Sequence, residues 1–162
     1  MKPFSAEDSA QTQTLPRTSG FLVGSKILTL DGELPVEHLC VGDRVITRDT
    51  GMAVLQAIHV TQTECNLVAI AKGALGQNSP LADISVPVGQ KILLRGWRAV
   101  ALTGKKQVLP AVGSLTNNEF IRPVGLQRVR LFSLTFAKPH ILYVDGLEME
   151  CSCQKATLRA VA

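Results

Sequence analysis

The chain has 162 residues, of which 46% are hydrophobic and 4% aromatic, and its 17 basic and 13 acidic residues give a net charge of +4. This length corresponds to about one domain, and the hydrophobic fraction excludes a disordered or fibrous protein. No segment approaches the ~20 consecutive apolar residues of a membrane span, and the first residues lack the apolar stretch of a secretory signal. We therefore expect a cytoplasmic protein with no membrane partner.

Strand and turn signals alternate between a flexible polar tail at residues 1–18 and a second tail at 154–162. Short runs rich in β-branched residues are separated by Gly, Pro, Asp and Asn, which is the pattern of an all-β domain over residues 19–153. Many short strands of this kind favour a sandwich, barrel or twisted β architecture over an α/β fold. In chain order, the predicted strands are 26–30, 43–49, a bent or bulged 52–63, 91–94, 128–136 and 140–144.

Only the segment Pro35–Cys40 has the pattern of a helix. Pro35 suits a first helical position, and Val36 and Leu39 share one face at a spacing of three residues. Gly42 follows where a helix would end. The sequence therefore predicts one short helical segment in a domain that is otherwise built from strands.

The most specific stretch is residues 20–49, which read GFLVGSKILTLDGELPVEHLCVGDRVITRD. They resemble the opening of Hint domains, the Hedgehog/intein family, and in particular the short bacterial branch. The family pattern there begins with Cys, Phe, two variable residues, Gly-Thr, a basic residue and Ile. It continues through Asp-Gly, Pro-Val-Glu and Gly-Asp to a strand that ends in Thr-Arg-Asp, as this chain does at Asp49.

Three later blocks resemble Hint segments in the same order, so that the resemblance covers residues 20 to 152. It implies the curved, horseshoe-like, pseudo-two-fold β fold of that family, in which both chain ends approach a shared centre. Gly20, Gln90 and the segment 140–151 are therefore expected to lie close together. The three blocks are 72–80 with 83–96, 108–111 with Leu115, and 143–150.

The resemblance also implies a chemistry, because Hint domains cleave or rearrange their own backbone. The first Cys attacks the carbonyl just upstream as a thiolate, and a His in the second block protonates the leaving nitrogen, which is worth ~10²–10⁴-fold. In this chain the nucleophile position falls on Gly20, which has no side chain, and the His position falls on Gln90, which is neutral. Only nineteen residues precede Gly20, few for a cargo.

We therefore expect a catalytically degenerate Hint domain that acts as a folded interaction or structural module, with Gly20 and Gln90 as vestigial positions. The alternative is residual self-processing, an N-to-S or N-to-O acyl shift through an off-register nucleophile such as Ser19. His140, near the final hairpin, and Cys151 are the possible neighbours of the vestigial site.

The remaining polar groups have ordinary interpretations. Cys151 and Cys153 form a Cys-x-Cys pair, but a structural zinc site needs about four ligands at a different spacing, so we expect no metal and no cofactor. Arg128 and Arg130 share one strand face, but the chain has one Trp and one Tyr for base stacking, so we expect a solvated face and no nucleic-acid partner. A protein partner and the oligomeric state are left open.

Overall fold

The computed structural model describes residues 19–77 and 79–151. The predicted tails at 1–18 and 154–162, and Cys153, lie outside the described residues. The described chain is mostly strand, which confirms the all-β prediction. The elements are β1 (Phe21–Leu22), β2 (Lys26–Thr29), β3 (Gly32–Pro35), β4 (Arg44–Thr47), β5 (Gly51–Val54), β6 (Ala57–Ile70), β7 (Ile84–Pro87), β8 (Leu94–Arg95), α1 (Trp97–Thr103), β9 (Gln107–Val108), β10 (Ile121–Thr135), β11 (His140–Val144) and β12 (Leu147–Cys151).

Two antiparallel sheets make up the body of the domain. The first has the strand order β1-β10-β6-β7, and its centre is the long ladder that runs from the pair Ile121–Ile70 to the pair Thr135–Ala57. The second has the order β12-β11-β2-β4-β5, with β3 paired to β2. A separate two-stranded ribbon, β8 with β9, flanks α1. The first and last described strands thus belong to different sheets.

One buried cluster joins the two sheets. The strands β11 and β12 alternate strictly between buried and half-buried residues, as expected of strands with one face against a core. The cluster is almost entirely aliphatic, in keeping with the low aromatic content. Its members include Phe21, Ile70 and Phe132 from the first sheet and Ile27, Val45 and Leu142 from the second.

The predicted bent strand 52–63 is wrong, because the structure divides this segment into β5 and β6 at Leu55 and Gln56. The Leu55 N–H donates to the Asp43 carbonyl, and its own carbonyl accepts from Gly42. These two bonds hold Leu55 against the residues directly before β4, at the end of the β4–β5 ladder, and the Leu55 side chain is completely buried. A tight turn does join β2 to β3, but it lies one residue earlier than predicted, at Leu30 and Asp31, because Gly32 already pairs with Thr29 as the first residue of β3.

A helical segment is present within Pro35–Cys40 as predicted, but the prediction that it is the only one is wrong. That segment contains only a 3-10 turn, Val36–His38, and a second such turn spans Val112–Leu115. The α-helix of the described chain is α1, which ends at Gly104 with a left-handed φ of 82° and an N–H bond to the Val100 carbonyl. No helix in the described part of the chain is long and apolar enough to cross a membrane.

Candidate functional site

Gly20 lies directly before β1, whose residue Phe21 pairs with Phe132 of β10. Its φ is +135°, a conformation that only glycine adopts without strain. A Cβ built there would lie 3.2 Å from the Phe132 carbonyl oxygen, closer than an ordinary van der Waals contact. The backbone at the expected nucleophile position is therefore shaped for glycine.

The side chain of Gln90 makes three hydrogen bonds and is only 2% exposed. Its Oε1 accepts the Gly20 N–H at 3.0 Å. Its Nε2 donates to the Lys91 carbonyl at 3.1 Å and to the Glu150 carbonyl at 2.7 Å. Two carbonyl acceptors can be satisfied only by the NH₂ group, so they determine the orientation of the amide. We call this set of contacts the Gln90 bridge.

The Gln90 bridge presents an acceptor to the nitrogen of the Ser19–Gly20 peptide bond. Protonation of a leaving nitrogen requires a donor directed at it. Here the hydrogen is already on the backbone nitrogen and points at Gln90, while both donors of the Gln90 amide are bound to other carbonyls. This arrangement holds the peptide bond in place and supplies no acid for its cleavage.

His140 opens β11 and is buried. Its Nδ1 lies 2.9 Å from Asp49 Oδ2, and the other oxygen of Asp49 accepts the Ile141 N–H at 3.2 Å. The His140 ring meets Phe136 edge to face, with centroids 5.6 Å apart. Burial raises the pKa of Asp49, but the hydrogen bonds from Ile141 and His140 outweigh it, so that the net shift is downward.

Cys151 lies opposite His140 in the register of β11 and β12. It is buried, and its Sγ donates to the Leu134 carbonyl at 3.1 Å. Ser19 is half-buried at the start of the described chain. Within residues 19–77 and 79–151, no three His, Cys, Asp or Glu side chains are grouped so that they could hold a metal ion.

The structure brings Gly20, Gln90 and Glu150 into direct contact, with Cys151 and His140 adjacent along β12 and β11. The roles of these residues stay predictions. Sequence reasoning missed Asp49 as the partner of His140. The only signal was that Asp49 ends the first block of the resemblance.

The lowered pKa of Asp49 predicts a specific pH dependence. Its folded-state pKa lies below the ordinary aspartate value of about 4, so the carboxylate stabilises the fold fully above pH ~4 and loses this effect as the pH falls through the folded-state value. Asp49→Asn should cost about 1 kcal/mol at pH 7, since the side chain is partly exposed. The cost should fade at pH 3, as measured by urea unfolding.

The exposed Asp31→Asn variant is the matched control for loss of one carboxylate. A stability difference between Asp49→Asn and the wild type that is the same at pH 3 and pH 7 would contradict a role for the charged form.

The geometry described above is that of a Hint-type β fold. A family model described as the Hint domain matches residues 19–156. The chain therefore belongs to the Hint-domain family, and the resemblance predicted from the sequence is confirmed.

Solved structures of intein-like domains share the fold. The bacterial intein-like domain from Clostridium thermocellum is 16% identical, with a TM-score of 0.56, and the match covers 83% of this chain and 99% of that one. A variant of the gp41-1 intein is 12% identical over 82% and 98%, with a TM-score of 0.55. The DnaB intein from Synechocystis sp. PCC 6803 is 13% identical over 83% and 99%, with a TM-score of 0.51. No curated protein matches the chain significantly.

Proposed function

We propose that this Hint domain does not process its own backbone and acts instead as a folded interaction or structural module. The observation that carries the proposal is the Gln90 bridge, which binds the amide expected to break and has no proton to give it. The same amide belongs to Gly20, which has no side chain with which to attack. Loss of acid catalysis alone costs ~10²–10⁴-fold, and loss of the nucleophile removes the covalent route.

The alternative nucleophile, Ser19, is out of register with the Gln90 bridge. An N-to-O shift at Ser19 would form an ester to its Oγ from the acyl group of Thr18 and would release the nitrogen of Ser19. Gln90 contacts the nitrogen of Gly20, which is the next amide along the chain. This supports the proposal, because the Gln90 side chain binds a different peptide bond from the one that Ser19 would break.

The other two candidate groups are engaged in the fold. The Nδ1 of His140 is bonded to Asp49, and the thiol of Cys151 donates to the Leu134 carbonyl. A step that used the Cys151 thiol would first have to break its bond to the Leu134 carbonyl. Asp49 holds the His140 ring through Nδ1 only, and the Asp49 carboxylate is itself partly exposed. The thiol contact is therefore the one that supports the proposal.

Intact mass is the first test. The full chain, incubated for days with an excess of thiol, should remain a single species of 17.4 kDa. A product truncated near residue 19 would contradict the proposal and support self-processing. The Ser19→Ala variant then shows whether that product depends on the Ser19 hydroxyl.

A rescue experiment tests the reason for inactivity. A reporter is fused upstream of the double variant Gly20→Cys with Gln90→His, and the matched control is Gly20→Ala with Gln90→His. Both variants carry the same Cβ strain at residue 20, but only the first has a thiol. Thiol-dependent release of the reporter from the Cys variant alone would show that these two positions account for the loss. A folded Cys variant that releases nothing would contradict that explanation.

A further inference from the structure

The segment from β8 through α1 to β9, residues 94–108, forms a small unit that we call the flap. Ala99 is the only buried residue of α1, so the helix stands out from the sheets. Three large apolar side chains on it face solvent, with exposed fractions of 70% for Trp97, 49% for Val100 and 54% for Leu102. Three such exposed apolar side chains within six residues mark this segment as a candidate interaction surface.

The charged residues of the flap itself all carry the same sign. The sequence contains no Asp or Glu between residues 84 and 118. The same stretch contains five basic residues, Lys91, Arg95, Arg98, Lys105 and Lys106.

The carboxylates elsewhere in the fold neutralise little of this charge. Arg95 forms an ion pair with Glu148 at 2.8 Å. Among the described residues, Arg98, Lys105 and Lys106 form no ion pair, and the Arg98 guanidinium lies 4.5 Å from the centroid of the Trp97 ring. Three cations without an ion pair among the described residues therefore lie in the same short segment as the exposed apolar side chains.

We infer that the flap is a docking surface for an anionic lipid bilayer. A tryptophan, short aliphatic side chains and surrounding Lys and Arg are the composition of helices that lie in the interface of a membrane, with basic groups among acidic headgroups. A second copy of this chain fits less well, since it brings a net charge of +4 and the same positive flap. The earlier expectation of no membrane partner considered spanning segments, whereas this surface would bind peripherally. The inference does not depend on the absence of self-processing.

Trp97 is the only tryptophan, so its fluorescence reports on the flap alone. Vesicles of 70% phosphatidylcholine and 30% phosphatidylserine should shift its emission to shorter wavelength and should carry the full chain into the pellet on sedimentation. Pure phosphatidylcholine vesicles should do neither. Raising the salt from 0.1 M to 1 M should abolish binding, because the screening length falls from about 10 Å to about 3 Å.

A charge-reversal variant of the flap tests whether its basic residues drive binding to the vesicles. Each basic residue near an anionic surface contributes about fivefold to partitioning, so Lys105→Glu with Lys106→Glu should weaken vesicle binding by at least about 25-fold. The matched control is Arg128→Glu with Arg130→Glu, which makes the same charge change at exposed positions of β10 and should change binding only a few-fold. Val100→Ser with Leu102→Ser tests the apolar part and should also weaken binding.

Three results would overturn the inference. The first is absence of binding to phosphatidylserine vesicles by the folded wild type, and the second is equal binding to both vesicle types. The third is a shift of the Trp97 emission in the absence of vesicles. Such a shift could grow with protein concentration, or it could be produced by added polyglutamate. This last result would assign the surface to a second copy or to an acidic protein.

Discussion

Replacing Gln90 with methionine is expected to lower the free energy of unfolding by about 3–4 kcal/mol. Methionine has a similar volume but no hydrogen-bonding amide, so the Gly20 N–H and the Glu150 carbonyl lose this partner together, whereas the Lys91 carbonyl still accepts the Glu150 N–H at 3.0 Å. A buried polar group left without a partner costs about 1–3 kcal/mol, and the site is nearly inaccessible to water. Urea unfolding measures the change, read as a shift of midpoint at constant slope.

The matched control is Gln127→Met at an exposed position of β10, where we expect a change within about 0.5 kcal/mol. Gln90→Glu tests the accepting and donating sides of the Gln90 bridge separately. The glutamate keeps an oxygen that accepts the Gly20 N–H, but it places its second oxygen against the carbonyls of Lys91 and Glu150, where the wild type has an NH₂ donor. That glutamate should have a raised pKa in the folded state, so this variant should gain stability relative to the wild type as the pH falls. A loss below about 1 kcal/mol in Gln90→Met would contradict the importance of the bridge.

Gly113→Ala is expected to destabilise the domain by about 2–3 kcal/mol through overpacking. A Cβ at this position would lie 2.5 Å from Val88 Cγ2 and 3.1 Å from the Val88 carbonyl oxygen, with which the Gly113 N–H is bonded. The neighbouring Val112 N–H donates to the Gln90 carbonyl at 2.8 Å, so the strain falls on the loop that positions Gln90. Thermal or urea unfolding measures the loss.

A second substitution tests the steric explanation. Val88→Ala removes the methyl groups that a Cβ at residue 113 would meet, so the double variant should recover part of the stability lost in Gly113→Ala. Simple addition of the two single losses would contradict the proposed clash. The recovery should remain incomplete, because the Val88 carbonyl oxygen is still close to the new Cβ.

The sequence was sufficient to predict short hairpins, which depend on neighbouring residues, and contacts between residues that the order of the family motifs brings together. The hairpin between β2 and β3 was predicted to within one residue from the Asp31-Gly32 signal, since these residue types favour tight hairpins. The contact between Gly20 and Gln90 spans seventy positions and has no local signal, but the family blocks placed both residues at one centre.

Other features could not be predicted because they arise from contacts between distant residues. His140 and Asp49 are 91 positions apart, and neither carries a local pattern that indicates the other. The helix α1 was missed because it buries only Ala99 and therefore shows no apolar periodicity toward the core, although Gly104 was an available signal for its end. The hydrogen bond from Gln90 Nε2 to the Glu150 carbonyl likewise depends on where β12 lies relative to Gln90, sixty positions earlier in the chain.

The Gln90 bridge also fixes the distance between the start of the first described strand and the end of the last one. One carboxamide binds both Gly20, before the first strand, and Glu150, near the end of the last strand. The main chain at Gly20 and the main chain at Glu150 therefore lie side by side, separated by little more than one amide group. Two modules attached there through short flexible linkers would meet at an effective concentration in the millimolar range. A domain whose first and last described strands are tied in this way would favour encounters between sequences attached at those strands, whether or not it processes its own backbone.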